Sequence, residues 1–315
     1  MNTNDIYEKI TNLIIELLEN HIESDYTQSW FELSTNEVFA KNIVSNHIYN
    51  GINQLLLSFI KRQNQYSLNR WLTFKQIEAL SGKIKKGSKA APVVYVSHIY
   101  IDNMTGKSRT KEVEELIKHN LSYNHLDVKK IGYLKYYNCF NVTCVENLPE
   151  SFYKIEEIEK LSEFENDERI EQLINNLDVK IDFSAENPAS YVPSLDIIRM
   201  PLKKQFKDKE SFYNVFFHEC GHSTGHESRL NRNLKGKFGD KFYAFEELIA
   251  EINTAFICAF FGIENKITDN VQYINNWLQV MKNDTHFVIQ AASEAQKASD
   301  YILQFAKVQE FIMEE

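Results

Sequence analysis

Three residues in the run His218-Glu219-Cys220-Gly221-His222 have the types and spacing for metal-assisted hydrolysis. Residues four apart on an α-helix lie one turn apart on the same face, so both imidazoles can reach a single ion. Glu219 is adjacent and can take a proton from a metal-bound water. The pentapeptide alone is only moderately specific, so its surroundings matter. At about 100° per residue, Phe216 and Cys220 fall opposite the histidine face. The helix can therefore bury one side and present the other to an ion.

A third ligand is available downstream, in FEELIAEINTAFICAFF. Glu247 and Glu251 stand one turn apart there, while Phe245, Ile249, Ile252, Phe256 and Phe260 occupy the other side. Two carboxylates stacked on an otherwise core-forming helix fit a metal ligand with a supporting carboxylate behind it. The spacing matches the gluzincin arrangement, HExxH on one helix and ExxA[D/E] on the next. Glu247 is assigned as the third ligand, and Glu251 as the acceptor that orients His218. Periodicity puts both on one face, so the reverse assignment stays open. Glu246 points about 100° away and is set aside. His226 comes two residues before the position that a three-histidine site would need. It is read as a supporting or substrate-side residue, or merely a surface one. Cys220 reads as a core thiol. Three protein ligands leave a fourth position for water, which makes peptide-bond hydrolysis the expected chemistry. Tyr243, Tyr191 and His226 are candidates for stabilising the oxyanion.

These residues need elements to hold them. The chain reads as almost entirely helical from 208 onward, over 208–226, 242–262, 269–281 and 284–312. Before that, VKIDFS and SYVPSLDIIRMP read as two short strands, with Asp196 or its neighbours beside the substrate cleft. An acidic helical segment is expected over 155–177. The first half shows an amphipathic helix (Ile6, Ile10, Leu13, Leu17) and a second helix over about 50–60. Thr73 is a plausible N-cap for a short helix that Gly82 stops. Strands are expected in the β-branched run that follows the basic turn of KIKKGSKAAPVVYVSHIYI and in KKIGYLKYYNCFNVTCVENL, with a polar loop, or a hairpin tip leading into a short helix, between them. The fold class is α+β. A small antiparallel-sheet domain (1–150) is followed by a mainly helical zincin-like domain (151–315).

The 315 residues carry a net charge of −9, distributed unevenly. Residues 61–135 hold fifteen Lys+Arg against six acids. A basic middle in an acidic chain suits a polyanion, or simply a solvated surface. Tyr49, Asn53, Arg70, Trp71, Lys75, Lys85, Lys86 and Lys89 interleave rings and cations, as single-stranded nucleic acid requires. Burial of Trp71 and Phe74 in the core is the simpler alternative. The four cysteines form no CxxC pair and suit a reducing compartment. No apolar run is long enough to span a bilayer, and no membrane association is expected. A cytoplasmic location is expected.

The pattern YNGIN…RWLTFKQ…KIKKGSK…VVY…FNV resembles the N-terminal domain of ArdC-type antirestriction proteins and of the related TraC-type plasmid primases. PSLDIIRMP, FYNVFFHECGHSTGHESRLNR, EELIAEINTAF and AASEAQKASDYIL resemble the metallopeptidase domain that accompanies it. Together they cover nearly the whole chain. The resemblance implies a mobile-element protein that binds single-stranded DNA, protects it from restriction and carries a Zn2+ site (Mn2+ or another divalent ion being an alternative). The other readings are a DNA-binding factor with a purely structural metal site, and a peptidase acting on a repressor or host protein.

Overall fold

Ile6, Ile10, Ile14 and Leu17 recur at helical spacing and are buried, which fixes the inward stripe of the first helix. The computed structural model describes residues 3–24, 28–33, 37–154, 163–234, 240–268 and 270–306. Its first half contains α1 (Thr3–Glu23), β1 (Lys41–Asn42), α2 (Ile52–Gln63), β2 (Arg70–Thr73), α3 (Phe74–Ala79), β3 (Lys83–Ile84), β4 (Ala91–Asp102), α4 (Thr110–Lys118), β5 (Val128–Asn141) and β6 (Val145–Glu146). The second half contains α5 (Glu163–Asn176), β7 (Lys180–Phe183), β8 (Ser190–Val192), β9 (Ile197–Met200), α6 (Lys209–Ser223), α7 (Lys241–Phe261), α8 (Val271–Asn283) and α9 (Phe287–Leu303).

The main sheet has the order β1-β2-β5-β4. β4 and β5 form a long antiparallel ribbon, in register from Ala91↔Cys139 to Asp102↔Val128. The polar segment expected to be a loop or hairpin tip closes this ribbon and carries α4. The sheet is not wholly antiparallel, because β1 pairs with β2 in parallel. Thr73 caps α3 as expected, in a reciprocal capping box with Gln76. SYVPSLDIIRMP is not one strand. It folds back as the antiparallel pair β8–β9, and Asp196 sits in the turn at φ 49, a conformation that Asp tolerates better than most residues. β7 lies parallel to β9 on its other side.

The four C-terminal helices fall close to where periodicity predicts. The parts of the expected 155–177 and 284–312 helices at 155–162 and 307–312 lie outside the described residues. One core joins the two halves. Ile10, Leu17 and Trp30 pack with Leu55 and Phe59 of α2 and with Leu248, Ile252, Trp277 and Ala291. A second core, under the HExxH helix, gathers Phe212, Phe216, Phe217 and Cys220 with Ile198, Met200 and Ile257. All four cysteines are free and buried. Among the described residues no helix is long and apolar enough to cross a membrane.

Candidate metal centre

The centre is built where α6 crosses α7. Asp208 caps α6 by accepting from the Ser211 N–H at 2.8 Å, and Asp240 caps α7 by accepting from Tyr243 N–H at 2.7 Å. The aromatic face of α6 is anchored in the core, with Phe212 and Phe216 stacked at 5.8 Å. That anchoring turns His218 and His222 towards α7. The helices touch at Gly221. A Cβ there would stand 3.0 Å from Ala250 Cα and 2.9 Å from Asn253 Nδ2. Asn253 in turn donates to the Phe217 carbonyl at 3.0 Å, tying the helices together beneath the histidines.

His218 Nε2 and His222 Nε2 converge to 3.2 Å. Glu247 lies across from both, 3.4 Å from His218 Nε2 and 3.7 Å from His222 Nε2. A tetrahedral ion with bonds of about 2.0–2.1 Å holds its ligands roughly 3.3 Å apart, so the donor set fits a divalent metal such as zinc. The three residues each offer a ligand atom within 4.8 Å of the others. The electrostatics agree with the geometry. Burial works against a charged His218, but the hydrogen bond to Glu247 and the charges of Glu219, Glu247 and Glu251 raise its pKa to about 9. Glu247 is lowered despite its burial, because both histidines and Tyr243 favour its carboxylate. This cluster of donors favours added positive charge.

Glu251 occupies a different place from the one expected. Its Oε1 accepts from Trp30 Nε1 at 3.1 Å and from the Thr268 N–H at 3.0 Å, and not from His218. Burial pushes its pKa up. The reason is the shared core: Trp30 of the first half reaches under α7 and claims the carboxylate. The supporting carboxylate is instead Glu246, which the sequence reading set aside. It stands 3.4 Å from His222 Nδ1 and is held by Arg232, whose Nε donates to Glu246 Oε2 at 3.0 Å. Arg232 also donates to the Gly221 carbonyl at 2.8 Å, closing the loop after α6 onto the site. Arg232 had no periodic signal, since it lies outside any helix.

Glu219 points to the other side of His218, towards β8. Its Oε2 accepts from the Tyr191 N–H at 2.6 Å. The Tyr191 hydroxyl donates to Asp196 at 2.8 Å, and Arg229 donates to both oxygens of Asp196 and to the Ser223 carbonyl. Asp196, expected on a strand beside the cleft, lies instead in the turn between β8 and β9, where it braces the strand that touches Glu219. His226 lies 3.9 Å from Asp196 and bonds Ser228 at 2.8 Å, so it belongs to this brace and not to the ligand triad. Tyr191 is committed to Asp196. The Tyr243 hydroxyl is 3.0 Å from that of Tyr273, in a cavity of ≈ 230 Å³ shared with His222 and Glu247. A larger cleft of ≈ 660 Å³ opens past His218 and Glu219. Cys220 is fully buried, with its thiol pushed well above the usual range, as a core residue should be.

The basic-half residues divide sharply. Arg70 is sealed inside, paired with Glu37 at 2.6 Å and donating to the Ser151 and Phe152 carbonyls. Trp71 is fully buried on β2, with Nε1 donating to Asn69 at 2.9 Å. Asn53 spends its amide on both backbone groups of Val94. Tyr49 is buried, although it lines a cavity. These four hold the fold, and of them Tyr49 and Asn53 also line a cavity. Lys75, Lys85, Lys86 and Lys89 are exposed, and so is Phe74, which the simpler reading placed in the core. Strand-facing residues and solvent-facing residues carry the same letters here, so spacing could not separate them.

Comparison with known proteins finds two family matches along the chain. Residues 4–140 match the N-terminal domain of the anti-restriction factor ArdC, and residues 168–294 match a zincin-like metallopeptidase. The uncharacterized protein y4eC of Sinorhizobium fredii is 30% identical over 299 residues, covering 95% of this chain and 91% of that protein. The DNA primase TraC of Escherichia coli is 28% identical over 308 residues, but the chain spans only 20% of its length. The crystal structure of the antirestriction ArdC protein from plasmid R388, in metal-free form, is 30% identical with a TM-score of 0.72, covering 96% of this chain and 98% of that one. Its Mn(II)-bound form is 29% identical, also with a TM-score of 0.72, covering 96% and 99%.

Proposed function

From the premise that this chain belongs to the ArdC family of antirestriction proteins, we propose that it binds single-stranded DNA of a mobile element and carries a working zinc-dependent peptidase site. The convergence of both histidine Nε2 atoms on Glu247 carries the peptidase half of this reading. His218, His222 and Glu247 would hold the ion. When bound, a divalent metal supplies Lewis acidity, activating a water and polarising a carbonyl. The chain's own groups do the rest. Glu219, steadied by the Tyr191 N–H, accepts the proton of the attacking water and returns it to the leaving amine. Glu246 and Arg232 fix the His222 ring, which sets the direction of its Nε2. Tyr243 lines the cavity beside His222 and Glu247, where its hydroxyl can donate to a developing oxyanion. Zinc is the first choice of ion, and manganese the second, since the R388 relative was crystallised with Mn(II).

The DNA half rests on the matching N-terminal domain and on the exposed Phe74 and the exposed Lys75, Lys85, Lys86 and Lys89, residue types that suit a stacked base and phosphates. A peptide-library digest with the purified full chain tests the hydrolase. Cleavage is expected with added Zn2+ or Mn2+ and none with chelator present. No cleavage with either metal would remove the catalytic reading and leave a DNA-binding factor.

A further inference from the structure

Two of the segments that carry the family resemblance take no part in the metal site. YNGIN (49–53) and AASEAQKASDYIL (291–303) lie far apart in sequence but meet in space. The Gly51 N–H donates to Gln296 Oε1 at 2.9 Å, with Gly51 in the left-handed region at φ 52. This junction and β4 enclose a groove of ≈ 440 Å³, lined in part by Tyr49, Tyr95, Val96, Tyr137, Ser293 and Lys297. The groove therefore has one wall from the N-terminal sheet and one from α9.

Its chemistry is specific. The Tyr95 and Tyr137 rings stand 5.8 Å apart, and Tyr95 is 44% exposed although its strand is otherwise part of a packed sheet. Val96 beside it is 62% exposed. β4 is the edge strand of its sheet. Asn53 binds both backbone groups of Val94, so the polar groups of Val94 point away from β5. By the two-residue period of a strand, so do those of Val96, His98 and Tyr100. Tyr100 is satisfied by Arg109 and Thr110. Between Val94 and Tyr100 this leaves Val96 and His98, whose outward backbone groups have no hydrogen bond among the described residues. Two residues are too few for an added peptide strand, which commonly needs about five. They are enough for the donor and acceptor edge of a base. Lys135 stands opposite Tyr95 in the ladder, and Lys297 lies at the rim, shared with Glu294 at 2.6 Å.

We propose that this groove seats one base of a single-stranded nucleic acid, stacked on Tyr95, with its polar edge against the free backbone of Val96 and its flanking phosphates near Lys135 and Lys297. The assignment rests on the DNA-binding reading above and adds its location. It also places the nucleic acid against α9, a helix of the metallopeptidase half.

The test is anisotropy of a labelled twelve-nucleotide oligothymidine with the full-length chain at two salt concentrations. The intact chain binds more weakly at higher salt. Tyr95→Ala weakens binding about tenfold or more, as loss of one base–aromatic stack does. Tyr95→Phe, which keeps the ring, stays within about twofold on the same grounds. Tyr95 is half exposed, so both variants should unfold at the temperature of the intact chain, and that is measured alongside. If the intact chain binds with salt dependence and Tyr95→Ala binds equally well, the groove is wrong while the DNA reading stands. If the intact chain shows no salt-dependent binding, the DNA reading falls and the groove with it. If Tyr95→Ala abolishes capture of an unstructured peptide but leaves oligothymidine binding untouched, the groove is a peptide site and the proposal is overturned.

Discussion

Glu219→Gln is expected to keep its metal and lose peptide hydrolysis by about 10²–10⁴-fold, the range supplied by a positioned general base. The substitution is nearly isosteric. The amide oxygen can still accept from the Tyr191 N–H, which holds the carboxylate at 2.6 Å, so β8 and α6 keep their spacing. What disappears is the capacity to take a proton. Because Glu219 lies outside the candidate ligand set of His218, His222 and Glu247, metal content should stay at the level of the intact chain. Turnover of whichever peptide the library digest identifies, measured together with elemental analysis, checks both halves. Undiminished turnover would assign the base elsewhere. The same variant addresses biology: if protection from restriction survives it intact, hydrolysis is not how the protein protects DNA.

Gly221→Ala is expected to damage both stability and the metal site. A methyl group at 221 has no room, with Ala250 Cα at 3.0 Å and Asn253 Nδ2 at 2.9 Å from its position. The obstacle is partly helix backbone, which cannot swing aside as a flexible side chain could. Overpacking of this kind costs roughly 1–3 kcal/mol. Prising α7 from α6 also moves Glu247 relative to both imidazoles and strains the Asn253 bond to Phe217 O. Metal affinity should fall about 10–100-fold, the scale associated with losing outer support around ligands. Urea unfolding and chelator competition measure the two effects. An unchanged midpoint with unchanged affinity would mean that the helices do not meet at Gly221 as described.

The helical second half was largely legible because long amphipathic helices announce themselves by period. α6, α7 and α8 begin and end within a few residues of the expected spans, while α9 begins three residues late and ends at Leu303, short of the expected 312. The placement of His218, His222 and Glu247 was legible for the same reason, since a helix face is a matter of arithmetic. What failed depended on the tertiary arrangement. Glu251 shares a face with Glu247, yet Trp30 approaches from 221 residues away and occupies it. Glu246 sits off that face, yet the crossing of α6 over α7 brings His222 to it. Neither approach leaves a trace in local spacing. In the basic half, Trp71 and Phe74 are three residues apart and look alike in sequence. One belongs to a strand with β1 on one side and β5 on the other, and the other begins an exposed helix. Only the order of strands in the sheet distinguishes them. The turn that splits β8 from β9 was signalled by Pro193 and Asp196 but was masked by the apolar residues around it.

The account stands on an ion held by His218, His222 and Glu247, so metal occupancy is its most direct test. Elemental analysis of the purified full chain, dialysed against buffer with one equivalent of Zn2+, should find about one ion per chain, as a single three-ligand site requires. The His218→Ala/His222→Ala double variant, treated identically, should retain almost none. Equal metal in both proteins, or none in the intact chain, would contradict the account.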